Sequence, residues 1–135
     1  MGTTRICYMY ASASSSAYTT SSCQAWFNTN SAASWPVGAG TGPVVVNTSK
    51  AVNGAGWIPV NFNAISAGAP FGNLPTDPAQ SATYFYSYIT NASSGFKLAV
   101  RMESSKFTFN GSGDVVSTDG GNETLTYETG NVMGL

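Results

Sequence analysis

Tyr84-Phe85-Tyr86-Ser87-Tyr88-Ile89, followed after Asn91-Ala92-Ser93-Ser94-Gly95 by Phe96-Lys97-Leu98-Ala99-Val100-Arg101-Met102, decides the fold class. Successive side chains of a strand point to opposite faces, so Tyr84, Tyr86 and Tyr88 share one face while Phe85 and Ile89 share the other. The residue types are strong β-formers. In the second run Lys97 and Arg101 are expected to point outward, with Phe96, Leu98, Val100 and Met102 inward. The Asn/Ser/Gly cluster between the runs supplies turn chemistry, so the two form an antiparallel hairpin.

Working outward, Lys106-Phe107-Thr108-Phe109 is expected to add a strand before the Asn110-Gly111-Ser112-Gly113 turn, and Leu125-Thr126-Tyr127 is a short final candidate. Upstream, Ile6 to Tyr10 suits a buried strand and Val44 to Val46 a brief one. Trp57-Ile58-Pro59-Val60-Asn61-Phe62 contains Pro59, which lacks a backbone donor, so this stretch reads as an edge or an extended connection. Ala11 to Ser22 is low in complexity and reads as a surface loop. No 12-residue window free of Gly and Pro keeps helical apolar spacing. The expected fold is mainly β, an antiparallel meander in one domain over 1–135, with a disulfide loop region at 5–43 and a sheet region at 44–135. A meander leaves an apolar face that must be covered. The candidates are the aromatic-anchored segment from Ala11 to Pro43 and a helix upstream of Met1.

Composition narrows the function. In 135 residues only 8% are charged and the net charge is −1, against 42% hydrophobic and 13% aromatic side chains. That charge balance argues against binding nucleic acid or anionic membrane through electrostatics. The chain has no histidine, which removes the commonest general base and most zinc sites. None of the spacings among Asp77, Glu103, Asp114, Asp119, Glu123 and Glu128 singles out a catalytic pair, and an enzyme is not expected. Cys7 and Cys23, in a polar and charge-poor chain, point to an oxidising compartment and a Cys7–Cys23 disulfide. Closing that loop stabilises by roughly 3 kcal/mol in the chain-entropy picture.

Two further clusters invite ligands. Asp114 with Asp119-Gly120-Gly121-Asn122-Glu123 has the oxygen-rich, glycine-containing make-up of a structural calcium site, although its spacing is not that of an EF-hand. The alternative is an Asx turn in which Asp119 accepts backbone N–H groups. Tyr84, Tyr86 and Tyr88 are an aromatic surface candidate, a platform for sugar rings in a secreted carbohydrate-binding module, unless they pack as core. Asn47-Thr48-Ser49, Asn91-Ala92-Ser93, Asn110-Gly111-Ser112 and Asn122-Glu123-Thr124 match the N-glycosylation acceptor pattern and support surface exposure.

Gly54-Ala55-Gly56-Trp57-Ile58-Pro59-Val60-Asn61-Phe62, Ile65-Ser66-Ala67-Gly68-Ala69-Pro70, Leu74-Pro75-Thr76-Asp77-Pro78, Tyr84-Phe85-Tyr86-Ser87-Tyr88, Met102-Glu103-Ser104, Thr118-Asp119-Gly120-Gly121-Asn122 and Tyr127-Glu128-Thr129-Gly130 occur in that order. This succession resembles the C-terminal head domains of type IV pilin and pilin-like proteins, notably those of candidate-phyla bacteria. The resemblance covers Gly54 to Leu135 and only loosely Cys7 to Pro43. It implies a head whose sheet packs against an N-terminal hydrophobic helix, α+β in the full-length protein. That helix would precede Met1, carry the only membrane contact before assembly, and join the subunit to other pilin subunits. The implied role is a structural subunit, major or minor, of an extracellular filament serving adhesion or motility. A pseudopilin of a type II secretion system is the close alternative. Related pseudopilins bind calcium in a C-terminal Asp- and Gly-containing loop, where Asp119 to Glu123 fall by location and composition.

Overall fold

The computed structural model describes residues 5–10, 44–81, 84–121 and 125–135. Among them, five strands form one sheet: β1 (Arg5–Tyr10), β2 (Val44–Asn47), β3 (Tyr86–Asn91), β4 (Phe96–Val100) and β5 (Tyr127–Gly130). Their order across the sheet is β2-β1-β3-β4-β5. A single turn of 3-10 helix, Phe62–Ala64, is the one helical element among the described residues. No helix there is long and apolar enough to cross a membrane.

The class is β, but the sheet is mixed and not a meander. β2 runs parallel to β1, with Cys7 opposite Val44 and Tyr10 opposite Asn47, while β1–β3, β3–β4 and β4–β5 are antiparallel. Parallel neighbours need a crossover connection of a dozen residues or more. The residues between Tyr10 and Val44 lie outside the described residues.

The β3–β4 hairpin forms where its turn chemistry places it. Asn91 Oδ1 accepts from Ser93 N at 2.9 Å and Gly95 N at 2.8 Å, and Ser94 takes a positive φ of 60°. The expected strand at Lys106–Phe109 does not form. There Phe107 N and Thr108 N both donate to Ser104 O, and Gly111 N donates to Thr108 O, so the backbone bonds are spent locally in turns. The final strand starts at Tyr127 and not at Leu125.

Register assigns the faces. Cys7 pairs with Ile89 and Ile89 with Lys97, while Met9 pairs with Ser87, Ser87 with Ala99 and Ala99 with Glu128. These side chains share face one, and all are at most 2% exposed. Face two carries Tyr8, Tyr88 and Leu98 in one row and Tyr86, Val100 and Tyr127 in the next, all half-buried. The period-2 reading of β4 is correct, but its sidedness is reversed. Lys97 is fully buried, whereas Phe96, Leu98 and Val100 are half-buried on the opposite face. Burial of Lys97 is tolerated because Glu128, on the neighbouring strand, pairs with its ammonium.

Face two receives a lobe formed by residues 48–80. Trp57 N donates to Ser49 O, Leu74 N to Lys50 O and Phe62 N to Val52 O, at 2.8–2.9 Å. Gly56 sits so close to this stitching that a Cβ would strike Ala51 O and the Leu74 side chain. Buried Trp57, Ile58 and Leu74 then pack with Tyr10, Tyr86, Tyr88 and Leu98 of the sheet. The cover over this part of face two is therefore a lobe that is not among the expected covers and that the sequence shows only as a connection. The expected cover at Ala11 to Pro43 lies outside the described residues.

Candidate functional site

Between the lobe and the sheet, face two remains half open as a groove of about 580 Å³. Trp57, Ile58, Phe62, Phe71 and Pro75 form the lobe wall, and Tyr86, Leu98, Val100, Met102, Tyr127 and Thr129 line the sheet side. Phe62 and Phe71 are tilted against each other with ring centroids 5.1 Å apart, and Phe71 is exposed. The lining offers a few hydroxyls but no carboxylate, amine or thiol. Its chemistry is therefore to remove apolar surface from water, which favours an apolar occupant in proportion to the area covered.

Pro75 and Met102 both line the groove, and Asp77 and the exposed Glu103 follow them closely in sequence. Asp77 is 6% exposed, and its Oδ1 accepts from Ala79 N at 2.8 Å and Gln80 N at 3.4 Å. The Tyr86 phenol, on the groove wall, is raised above its ordinary pKa by burial first, and then by the negative charges of Asp77 and Glu103.

The tyrosine stripe is partly brought together. Tyr86 and Tyr88 lie on face two, where Tyr88 stands 6.0 Å from Tyr8 and 6.0 Å from Phe96, ring centroid to ring centroid. Burial, then the neighbouring Tyr8, raises the Tyr88 phenol. Tyr84 precedes β3, in a turn where its N–H donates to Ser81 Oγ at 2.9 Å. Both strand tyrosines pack onto the Trp57 cluster, so they serve the groove and the core together.

The acidic loop is built around Asp114. Its Oδ1 accepts from Val116 N and Ser117 N, and its Oδ2 from Asn110 N and the Ser117 hydroxyl, all at 2.9–3.0 Å. These bonds, the Ser117 backbone N–H foremost, hold the carboxyl below its ordinary pKa. Asp119 accepts from Gly121 N at 2.8 Å and from Glu128 N at 2.6 Å. Both aspartates thus have the Asx-type bonding weighed against calcium. Asn122 and Glu123 lie outside the described residues, and among those described no group of three His, Cys, Asp or Glu is placed to hold a metal ion. Cys7 is fully buried and disulfide-bonded, and Cys23 lies outside the described residues.

Sequence reasoning missed the lobe wall. The available signal was Trp57, Phe62 and Phe71 in a Gly/Pro-rich stretch without strand patterning, since aromatic rings of that size must find apolar surface somewhere. No protein-family model matches the chain, and neither a curated protein nor a solved structure matches it.

Proposed function

We propose that the chain is the head domain of a structural subunit of a type IV pilus-like filament, and that its face-two groove seats a helix belonging to the same subunit. The observation that carries this reading is the half-covered groove, apolar along its walls and bounded by the sheet and the Trp57 lobe. Apolar side chains spaced along one helix face fill a groove of this kind. The order of motifs from Gly54 to Tyr127 supports the same assignment, as does a surface of hydroxyls and amides with few charges, which suits a domain exposed to the medium. A pseudopilin of a secretion machine has the same head and different partners.

The test is direct labelling. Antibodies raised against this domain should decorate filaments sheared from the surface of the native cells, seen by immunogold electron microscopy. Labelling confined to the cell interior would overturn the proposal.

A further inference from the structure

The chain contains two Asn-Gly pairs, Asn53-Gly54 and Asn110-Gly111. In such a pair the glycine amide nitrogen reaches the asparagine carboxamide carbon easily, because glycine has no side chain to crowd the approach. Both asparagines are exposed, and the sequence alone ranks them equally. The bonding around each pair separates them.

At Asn110-Gly111 the nucleophile is committed, since Gly111 N donates to Thr108 O at 2.9 Å. Gly111 is also wedged where a Cβ would strike Lys106 O and Ser105 O, and Asn110 N donates to Asp114 Oδ2 at 2.9 Å. The backbone is therefore fixed on both sides of this peptide, and the Asn110 carboxamide makes no hydrogen bond among the described residues.

At Asn53-Gly54 the arrangement is the reverse. Gly54 N makes no hydrogen bond among the described residues, and a Cβ on Gly54 would meet nothing closer than 3.7 Å. Asn53 Oδ1 accepts from Ala55 N at 3.1 Å. When Gly54 N adds to the Asn53 Cγ, negative charge develops on that Oδ1, and the Ala55 N–H is already aimed at it.

We propose that Asn53 is a site of spontaneous deamidation, and that this modification loosens the lobe carrying Trp57. The Gly54 amide gives its proton to solvent hydroxide and its nitrogen bonds to Cγ. The Cγ–Nδ2 bond breaks, ammonia leaves and a succinimide remains. Water then opens the ring at either carbonyl, leaving aspartate or isoaspartate in place of Asn53. The net exchange is one water taken up and one ammonia released, with no oxidant or reductant. Isoaspartate lengthens the main chain by one methylene within a tightly held stretch. Phe62 N donates to Val52 O on one side of it, at 2.8 Å, and Trp57 N to Ser49 O on the other, at 2.9 Å. The longer chain cannot keep both bonds in register, so the Asn53–Asn61 bridge opens and Trp57 loses contact with the sheet.

The experiment incubates the full chain at mildly alkaline pH, folded and in urea, and maps both Asn-Gly peptides by mass spectrometry with fragmentation that distinguishes isoaspartate. In the folded chain Asn53 should convert about tenfold faster than Asn110, the effect of one hydrogen bond gained at Oδ1 and one not spent at the nucleophile. In urea the two rates should converge. Equal rates in the folded chain, or faster conversion of Asn110, would overturn the assignment. The converted species, resolved by its added negative charge on anion exchange, should unfold at lower denaturant than the parent. Asn53→Gln, whose longer side chain closes such a ring far more slowly, should keep its own starting midpoint through the same incubation. A converted species that unfolds at the parent midpoint would overturn the link to the lobe.

Discussion

Replacing Lys97 by Met is expected to destabilise the domain by about 3–5 kcal/mol, because it strands a buried carboxylate. Lys97 and Glu128 both have side chains with 0% exposure and pair across β4 and β5. Lys97 Nζ also donates to Met133 O at 3.4 Å. A Cβ on Gly121 would collide with the Glu128 carboxylate, and Glu128 N donates to Asp119 Oδ2. The pair therefore ties the last strand to the C-terminal residues and to the acidic loop. Glu128→Gln should be comparably damaging, since it leaves an ammonium without its counter-charge. The double variant Lys97→Met/Glu128→Leu removes both charges and should recover most of the loss. Denaturant unfolding followed by circular dichroism measures all three. A single variant within about 1 kcal/mol of the parent would mean that water reaches the pair.

Trp57→Ala is the second large effect, expected to cost about 3–5 kcal/mol, as for other buried aromatic truncations. Trp57 is 1% exposed and anchors the lobe on face two, with Nε1 donating to Pro75 O at 3.1 Å. Ile58, Leu74 and the half-buried Tyr86 and Leu98 share the contact surface that Trp57 supplies. Trp57→Phe keeps an aromatic body without the indole donor and should cost less than half as much. The check is again denaturant unfolding. Loss below about 1 kcal/mol for the alanine variant would mean that the lobe is not docked.

A domain of this size has a total stability of roughly 5–15 kcal/mol. Either substitution alone therefore consumes a large part of the margin.

The alternation of β3 and β4 and the Asn91–Gly95 turn are legible because they depend on local chemistry: period-2 side-chain direction and an Asn that accepts backbone amides. Which face lies deeper is not local. Lys97 reads as solvent-facing until Glu128, distant in sequence, is known to sit beside it. The parallel β1–β2 pairing is equally non-local, since neither short strand encodes its neighbour's direction. At Lys106–Phe109 an alternating pattern is overridden by Ser104 O and the Asp114 carboxylate, which capture the backbone donors of the loop. Of the groove, the sheet wall is legible in Tyr86, Leu98, Val100 and Met102, and the lobe wall is not. A cluster such as Trp57, Ile58 and Leu74 is assembled by backbone bonds between loops and leaves no periodic trace.

A groove that belongs to a pilin-like subunit and is filled by that subunit's own helix requires the helix to be encoded ahead of this domain. The most direct measurement is the nucleotide sequence of the native gene upstream of the Met1 codon. The expected result is a short basic leader, a Gly-Phe-type processing site with a Glu a few residues on, and an apolar helical stretch running into this domain. An ordinary secretory signal or an unrelated catalytic domain there would contradict it.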